Sequence, residues 1–482
     1  MKVGEKKLQI GNSCLTIKTK KEMKKNLFMV AAVALMALVS CSKEDFNNGV
    51  QGGASDIVFS AELEQPDGEP TSAPSEIQSK TSLGTLTNGV RPVSWVANDQ
   101  IKINGVTFKA ASAGSRTDFT PTGSFNTAAT YYAVYPATAT SKADHSAITI
   151  PASQDGSFAK AAISVAKSST QSLSFKNVAS IIKFRVPAAC STVTISSSAN
   201  LAGTFPVTFE NNLPKIGTVS SASKTITLSG SFKTNTDYYV AVLPGSHKFI
   251  VQMDGHVSKD SDKGVQLNRS KITNLATLPT LRPVYLLPNL WDTDGARYAI
   301  CVKGTGLNDK WYDMTDSNSD GVFEAYVPAG YTSVDFCRMN GATVANNWDN
   351  KWNDTSFLDV PTGNTNYCVK YDWDNSAEWF SVVYLVPGQW NADNARYAIC
   401  VKKSGGWDRW YNMTDNNGDG VFEGYVPAGY TQIDFCRMDG SKESNEWGSK
   451  WNDTGFLTVP SDNKIYCKIT GWDNSSSWSA TK

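Results

Sequence analysis

The stretch VYLLPNLWDTDGARYAICVK at 284–303 returns as VYLVPGQWNADNARYAICVK at 383–402. The likeness continues through 284–380 and 383–479, and each residue of the first copy lies 99 positions before its counterpart, without insertion or deletion. The repeat is too long for one rung of a solenoid and long enough to bury a core of its own. The C-terminal third is therefore predicted to hold two tandem domains, at 284–380 and 383–482.

Short segments of alternating polarity predict β-strands within each copy. In the first copy they are Arg297–Lys303, Val322–Val327, Ser333–Met339 and Tyr367–Tyr371. The Asp320-Gly321 pair before the second segment is a hairpin turn signal, because glycine tolerates the positive φ that such a turn needs. Each copy is predicted to be a small β-sandwich of about six to eight strands.

Tryptophan is concentrated in these copies, which hold all but one of the fourteen tryptophans of the chain. A domain of this size needs about one or two such rings for its core. Most of the others lie in loop-like stretches among Asn, Asp, Lys and Gly. Clustered exposed aromatic rings are typical of binding surfaces, although a buried position remains the alternative for any single tryptophan.

The pattern favours a carbohydrate ligand, because the flat C–H face of a sugar stacks on an indole while its hydroxyls need amides and carboxylates. The residues predicted to stack are Trp291, Trp311 and Trp348, with Trp390, Trp410 and Trp447 in the second copy. The predicted polar partners are Asn347, Asp349, Arg338 and Arg437. Trp352, Trp373 and their counterparts are predicted to pack, and Trp407, opposite Asn308, is predicted to be an exposed addition.

The order of these motifs resembles a known kind of module. WYDMT at 311–315, DFC at 335–337 and WNDTSFL at 352–358 are similar to stretches of the small starch-binding β-sandwich modules of bacterial glucan-handling proteins. The resemblance implies an α-glucan ligand. Asp354 and Asp453 stand where that family has Gln, so the specificity for α-glucan stays open.

One acidic motif in each copy is similar to the first half of a calcium-binding loop. The residues are Asp316, Asn318 and Asp320, and Asp415, Asn417 and Asp419. The twelfth position is Val327 or Val426, where such a loop needs a bidentate Glu. A polar hairpin turn is therefore expected, with calcium as the alternative, and no other cofactor is expected.

Each copy carries three cysteines inside predicted strands, without Cys-x-x-Cys spacing and without a nearby histidine, which argues against zinc. Export permits a disulfide, but an odd number leaves one thiol over. Buried free thiols are the expected state, because cysteine packs as a small apolar side chain.

The N-terminal region carries a predicted secretory signal. A basic pair at 24–25 precedes an apolar run at 27–39 that is too short for a comfortable membrane span. LVSC at 38–41 resembles the lipobox of bacterial lipoproteins, which implies removal of residues 1–40 and lipid attachment at Cys41. The alternative is a buried helix with a stray cysteine.

Translation is expected to start at Met23, and residues 41–54 are predicted to be the lipidated tether. Glu44 and Asp45 resemble the surface-export signal of Bacteroidetes lipoproteins, with a solvated linker as the alternative. The expected location is the outer membrane, at the cell surface of a Gram-negative, Bacteroidetes-like bacterium, with contact to the membrane through the lipid anchor alone.

The region 55–281 is rich in Ser, Thr and Ala, and its apolar runs predict strands. The predicted strands are Asp56–Leu63, Gln100–Phe108, Thr130–Tyr135, Ala179–Val186, Ser191–Ser196, Tyr238–Leu243 and Lys248–Met253. They suit two stacked sandwiches divided near Ser174–Val178.

Four motifs of this region resemble fimbrillin-like proteins of Bacteroidetes. They are VSW at 93–95 followed by DQIKI, YYAVYP at 131–136, LSFKNV at 173–178 and YYVAVLPG at 238–245. That family comprises surface lipoproteins with two transthyretin-like β-sandwiches, several of them pilus subunits. The expected fold class is all-β: a fimbrillin-like (transthyretin-like) β-sandwich region followed by two tandem small β-sandwich modules.

The fimbrillin resemblance implies assembly with other subunits by donor-strand exchange after trypsin-like cleavage. Arg91 precedes Pro92, and that bond is a poor site for such a protease. A pilus tip, an accessory subunit or an adhesin that contacts host protein or glycans is therefore the alternative to a glycan-binding lipoprotein. For 55–281 itself, a spacer that lifts the modules off the membrane is an equal alternative.

Charge and histidine content exclude several other functions. Lys and Arg balance Asp and Glu at 45 each, so no polyanion is implied, and the chain lacks the basic stripe expected of a nucleic-acid partner. The three histidines lie outside the tryptophan-rich copies and outside any catalytic motif. The chain is not expected to be an enzyme.

Overall fold

The computed structural model describes residues 57–65, 82–83, 92–361, 363, 365–461 and 465–482. The predicted signal peptide, Cys41, the tether and Arg91 lie outside these residues. Within them, strands dominate and the α-helix α1 (Phe158–Ala161) is a single turn. No helix in this part of the chain is both long and apolar enough to cross a membrane. The predicted all-β fold class is confirmed.

The first part of the described chain, up to Asn177, is built around a sheet that closes on itself. Its strands and those beside it are β1 (Phe59–Leu63), β2 (Ser82–Leu83), β3 (Val93–Ser94), β4 (Gln100–Ile103), β5 (Val106–Ala110), β6 (Arg116–Pro121), β7 (Tyr131–Tyr135), β8 (Ile148–Ile150), β9 (Ser153–Gln154), β10 (Ser164–Ser168) and β11 (Ser172–Asn177). The closed order is β1-β11-β10-β7-β4-β5-β6. Trp95 fills its interior, and its indole N–H donates to the Ala61 carbonyl at 2.9 Å.

The predicted strand Gln100–Phe108 is wrong in one respect, because it is a hairpin of two strands. Asn104 and Gly105 form the two-residue turn between β4 and β5, both with positive φ. Asn-Gly is the preferred pair for a type I′ turn, since both central residues need a left-handed conformation.

A second set of strands follows. They are β12 (Ser180–Arg185), β13 (Cys190–Ser197), β14 (Ala202–Phe205), β15 (Val207–Glu210), β16 (Leu213–Ile216), β17 (Ser220–Ser223), β18 (Thr225–Phe232), β19 (Tyr238–Val242), β20 (Gly245–His247), β21 (Phe249–Met253), β22 (His256–Asp260), β23 (Val265–Leu267) and β24 (Ile272–Thr277). Sheet membership changes between β11 and β12, close to the predicted division. The two sets are nevertheless joined, because β8 and β9 pair with β14 and β18 and one hydrophobic core runs through both.

Each C-terminal module is two sheets packed face to face. The strands of the first module are β25 (Pro283–Leu287), β26 (Arg297–Lys303), β27 (Lys310–Asp313), β28 (Phe323–Tyr326), β29 (Ser333–Met339), β30 (Lys351–Asp354), β31 (Leu358–Asp359), β32 (Thr365–Val369) and the start of β33 (Trp379–Val386). One sheet has the order β27-β26-β29-β30, and the other contains β28-β25-β32-β33. Leu286, Ile300, Phe336 and Cys368 meet in the core between them.

The second module repeats this arrangement. Its further strands are β34 (Arg396–Lys402), β35 (Arg409–Asn412), β36 (Phe422–Pro427), β37 (Gln432–Met438), β38 (Lys450–Asp453), β39 (Leu457–Thr458), β40 (Tyr466–Ile469) and β41 (Ser476–Ser479). Short 3₁₀ turns lie at Ala137–Ala139, Asn289–Trp291, Trp348–Asn350, Gly388–Trp390 and Trp447–Ser449.

Strand β33 belongs to both modules. Its first residues pair with β32 in antiparallel fashion, and its last residues, from Tyr384 to Val386, pair with β40 in parallel. Strand β36 pairs along Phe380–Leu385 and so spans the junction. The last strand of the first module therefore runs directly into the first strand of the second, and hydrogen-bonded sheet takes the place of a linker.

Candidate functional site

Trp291 and Trp390 lie inside the sandwiches. Each is 0% exposed and packs with the core of its module. The 3₁₀ turns that carry them fold the rings inward beneath Tyr298 and Tyr397, whose hydroxyls donate to the carbonyls of Trp291 and Trp390. The prediction that these two rings stack on a ligand is wrong, because the core would have to open to expose them.

The remaining predicted stacking residues lie on the outer side of the sheet that contains β26. Trp311 of β27 and Trp348 of the following 3₁₀ turn approach with ring centroids 4.8 Å apart and ring planes at 71°. Phe357 lies 6.2 Å from Trp348. We call this set of rings, with Lys303 and Lys351 beside them, the outer aromatic face. Trp348 is 43% exposed and Trp311 is half-buried.

Strand alternation explains why the large rings fit there. Tyr298, Ile300 and Val302 of β26 face the core, so Ala299 and Cys301 face outward. Trp311 stands opposite Cys301 on the neighbouring strand. The small side chains of Ala299 and Cys301 leave room for an indole above the sheet, and Trp311 packs on Ala299, Cys337 and Met339.

The turn that carries Trp348 is held by a network of hydrogen bonds. The Arg297 guanidinium donates to the carbonyls of Thr343 and Ala345 at 2.7 Å and to the side chain of Asn346. The Asn347 side chain caps the 3₁₀ turn by accepting from the Asn350 N–H at 2.9 Å. Trp348 is therefore presented on a rigid loop, which lowers the entropic cost of binding.

The second module reproduces the outer aromatic face. Trp410 and Trp447 are 4.8 Å apart with ring planes at 72°, and Phe456 lies 6.1 Å from Trp447. Lys450 lies 4.7 Å from the centroid of Trp447, as Lys351 lies 5.0 Å from that of Trp348. The second copy differs at many positions, yet the ring geometry is unchanged.

Charged groups border the rings. Lys303 lies 4.0 Å from the centroid of Phe357, and Lys351 pairs with Asp354. Asp335 is buried, and its Oδ1 accepts from the N–H and the hydroxyl of Thr355 at 3.0 and 3.1 Å. Burial raises the pKa of Asp335, and it likewise raises the pKa of Asp434 in the second module. The border of the rings thus offers the ammonium groups of Lys303 and Lys351, together with the Asp354 carboxylate that pairs with Lys351.

Of the predicted polar partners in the first module, Asn347 and Asp349 are exposed and Arg338 is buried. Asn347 and Asp349 are exposed beside Trp348, although their counterparts are Glu446 and Gly448, so the two copies do not share these groups. Arg338 is 4% exposed, and its guanidinium donates to the carbonyls of Trp291 and Thr293 at 2.7 and 2.8 Å.

The role predicted for Arg338 and Arg437 is wrong. Arg437 is likewise 4% exposed and donates to the Trp390 carbonyl at 2.8 Å and to Asp393. Each guanidinium is committed to the buried carbonyl of a core tryptophan and to a partly buried carbonyl nearby, and so acts as a structural support.

The prediction for Trp352 and Trp373 is also wrong, because these rings are exposed and not packed. They were expected to pack, yet they are 41% and 48% exposed. Both rings lie against the Arg338 guanidinium, at 4.7 and 5.4 Å from their centroids. We call Trp352 and Trp373 the edge aromatic pair, and Trp451 and Trp472 form the same pair in the second module.

Sequence reasoning also missed the lysines and phenylalanines of the outer aromatic face. The signal was present, because Lys351, Phe357 and their counterparts Lys450 and Phe456 are retained between the copies. Lys303 ends the alternating segment of β26 and must face outward with Ala299 and Cys301. Trp407 is 91% exposed, in agreement with its prediction.

The acidic turns use their carboxylates internally. Asp316 accepts from the backbone N–H groups of Asp320 and Gly321 at 3.1 and 3.0 Å, and Asp415 does the same in the second module. No cluster of three or more metal-binding side chains occurs among the described residues.

The six module cysteines are free and buried, as predicted. Burial raises the pKa of Cys301 and Cys368 to about 12, so these thiols stay protonated and unreactive.

The chain matches no protein-family model and no curated protein. Among solved structures it is similar to a candidate cell adhesion protein from Bacteroides ovatus, at 14% identity, with 38% of this chain and 84% of that chain covered and a TM-score of 0.26. A fimbrial protein from the same organism matches at 9% identity over 40% of this chain and 48% of that chain, with a TM-score of 0.18.

A family 41 carbohydrate-binding module from streptococcal virulence factors, in a study of α-glucan recognition, matches at 16% identity. The match covers 41% of this chain and 98% of that chain, with a TM-score of 0.15. At these identities and TM-scores the likenesses establish no shared function.

Proposed function

We propose that the protein binds carbohydrate through the outer aromatic faces of its two modules. The observation that carries the proposal is the half-exposed pair of Trp311 and Trp348, which recurs as Trp410 and Trp447 with the same separation and angle. Exposed indoles on a rigid surface are costly unless they bind something. Retention of both rings and their geometry in two diverged copies argues for a shared ligand.

The geometry favours a sugar over an aliphatic or aromatic ligand. Ring planes at 71° cannot enclose one flat molecule, but they form two walls of a corner. A pyranose ring can lay its C–H face on Trp348 and set its edge against Trp311. Lys303 and Lys351 lie within reach of hydroxyl groups at the border, and charge-assisted hydrogen bonds are the stronger kind.

Two faces on one chain favour a polymer. Binding at the second site becomes intramolecular once the first is filled, which raises the overall affinity. Strand β33 joins the modules without a flexible linker, so the two faces hold a fixed relation. An α-glucan such as starch or glycogen is the polymer that we propose, on the basis of the sequence motifs.

The cellular location belongs to the same proposal and rests on the sequence alone. We infer export, lipid attachment at Cys41 and display at the cell surface, where a polymer would be met. Metabolic labelling with a radioactive fatty acid tests the anchor. Label on the wild-type protein that disappears in Cys41→Ser supports it, and an unlabelled wild type excludes it.

Affinity electrophoresis tests the glycan proposal. The full chain without its signal is run through gels that contain glycogen, starch, barley β-glucan or xylan. Retardation is expected in at least one gel, and it should be lost in Trp348→Ala/Trp447→Ala, which removes the exposed rings and spares Trp311 beneath them. Trp407→Ala is the matched control, because that ring is exposed but outside the face.

The alternative function is an adhesin or pilus-tip subunit that contacts host protein or glycans. The two modules would then project from the region 55–281, and their aromatic faces would meet a protein surface. Failure of every gel, together with saturable binding to immobilised host glycoprotein that resists deglycosylation, would favour this function over the first.

A further inference from the structure

The edge aromatic pair is a second exposed surface on each module, and the proposed function does not use it. Trp352 lies in a β-bulge: Lys351 and Asn353 pair with the consecutive residues Met339 and Arg338, so Trp352 is the extra residue. A bulge turns the side chain it carries away from the regular alternation. Trp352 thereby leaves the outer face, where Lys351 remains, and lies over the edge of the sandwich.

Trp373 reaches the same place from the other sheet, on the loop after β32. In the first module the buried Lys370 closes this loop, with its ammonium donating to the carbonyls of Asp374 and Ser376 at 2.8 and 2.6 Å. In the second module Ile469 stands in place of Lys370. There the loop is closed by Thr470, whose N–H donates to the Ser475 carbonyl at 2.9 Å.

The two modules thus hold the same indole by different means. Trp472 lies 5.3 Å from the Arg437 guanidinium, and Trp373 lies 5.4 Å from that of Arg338. Exposure is also matched, at 49% and 48%. The residue that closes the loop differs between the modules, Lys370 in the first and Thr470 in the second, but the indole occupies the same position beside the arginine. The two copies therefore share the position of this ring and not the bonds that hold its loop.

The buried arginine accounts for one side of each ring. Its guanidinium lies against both indoles and is itself held by the carbonyls of Trp291 and Thr293, so it fixes the rings in place. Shielding an arginine does not require about half of each indole surface to face water. The indole N–H groups of Trp352 and Trp373 donate to no residue that the structure describes. The same guanidinium that contacts the rings pairs with Asp294, and that of Arg437 pairs with Asp393 in the second copy.

We propose that the edge aromatic pair is a second sugar-binding surface on each module, which receives a further part of the same glycan chain. The inference rests on the proposed function. Trp348 and Trp352 are four residues apart, so their Cα atoms are separated by at most about 14 Å. A few linked sugar units span that distance, and a chain seated on the outer aromatic face can continue over β30 onto the edge pair.

The chemistry of the pair fits a neutral polar ring better than an ion. The Arg338 guanidinium is already paired with Asp294, at 2.7 Å, and with carbonyl oxygens, so it is not available to bind an anionic ligand. The remaining groups are the half-exposed indoles, with N–H donors that bond no described residue, and the exposed carboxylate of Asp294. C–H faces and hydroxyls of a sugar match these three.

Fluorine NMR of the full chain labelled with 5-fluorotryptophan tests the inference without altering the site. Single Trp→Phe variants assign the resonances, and maltoheptaose, cellohexaose and xylohexaose, which match the polymers of the affinity gels, are the probes. With the probe that moves the Trp348 and Trp447 signals, the signals of Trp352 and Trp373 are expected to move along the same titration curve. Movement of Trp348 while the edge signals stay fixed overturns the inference and leaves the proposed function intact.

Affinity measurements supply an independent readout. Trp352→Ala/Trp451→Ala is expected to weaken binding of maltoheptaose about tenfold, while binding of maltotriose, which is too short to cover both surfaces, stays within about twofold. Trp373→Ala/Trp472→Ala should behave alike, which guards against misfolding of one variant. Equal maltoheptaose affinity of these variants and the wild type overturns the inference. If no probe moves any tryptophan signal of the wild type, the proposed function itself fails.

Discussion

The Arg409 guanidinium of the second module lies 2.6 Å from the Glu378 carboxylate of the first. The first module places Lys310 at the equivalent position against Asp260 and Asp262 of the preceding region, at 3.3 and 3.2 Å. The backbone repeats the relation, because Ala329 donates to the Ser258 carbonyl and its counterpart Ala428 donates to that of Trp379. Each module thus docks on the domain before it through the same surface.

Apolar contacts, more than the ion pair, are expected to hold the junction. Phe380 is buried and packs on Tyr371 and Tyr411. Phe380→Ser should destabilise the junction by about 3 kcal/mol, because it leaves a cavity between the modules. Scanning calorimetry should show the melting transition of the modules lowered by several degrees.

The second copy supplies the control for this change. Ser479 is the counterpart of Phe380, and Ser479→Ala should leave the melting temperature unchanged within about a degree. An unchanged melting temperature in Phe380→Ser would mean that the modules do not rest on one another.

Arg338 is expected to act on stability and not on ligand contact. Arg338→Ala removes the donors to the buried carbonyl of Trp291 and the partly buried carbonyl of Thr293 and should cost about 2–4 kcal/mol. Arg409→Ala, at an exposed ion pair, should cost less than about 1 kcal/mol and serves as the matched control. Urea unfolding of both variants measures the difference, and equal midpoints would restore the reading of Arg338 as an exposed polar partner.

Three features of the fold could be read directly from residues. Strand alternation in RYAICVK places Ala299 and Cys301 opposite Ile300, and the Asn104-Gly105 pair specifies a tight turn that a closer reading of the sequence would have recognised. The exact 99-residue repeat likewise indicates two similar domains.

Whether each tryptophan is buried or exposed could not be predicted in this way. Trp291 and Trp348 both lie in 3₁₀ turns among polar residues, and their burial depends on which sheet closes over each turn. That is a long-range property. Trp352 reaches the edge of the sandwich through a bulge, and a bulge leaves no regular trace in the alternation of the strand.

The buried carboxyls predict a pH dependence of stability. Burial raises the pKa of Asp335 and Asp434 above the ordinary value of 3.8, so the folded state binds protons more tightly than the unfolded state. Stability should therefore fall as pH rises from about 3.8 through the raised folded-state pKa. Asp335→Asn/Asp434→Asn keeps an acceptor for Thr355 and Thr454 and should flatten this part of the melting-temperature profile.

The measurement is thermal unfolding of the wild type and the double variant from pH 3.5 to 7. Parallel profiles for the two proteins would show that these carboxyls titrate alike in the folded and unfolded states. Thr355→Val, which removes one donor to Asp335, should steepen the fall, because the carboxylate loses a bond that stabilises its charged form.

The acidic turns are expected to work without calcium. Both carboxylate oxygens of Asp316 are engaged by backbone N–H groups, so metal ligation would compete with the turn. Neither 5 mM calcium nor a chelator should move the melting temperature, whereas Asp316→Ala should lower stability by about 1 kcal/mol. A rise of several degrees with calcium that is lost in Asp316→Ala would contradict this account.

The dissociation constant for the polymer that retards the protein in affinity gels is the most direct test of the outer aromatic faces. Isothermal titration should compare the wild type with Trp348→Ala, Trp447→Ala and the double variant. We expect each single variant to lose the gain from two linked sites, about tenfold or more, and the double variant to lose binding. Wild-type affinity in a folded double variant would contradict the account, because the exposed indoles would then have no part in holding the glycan.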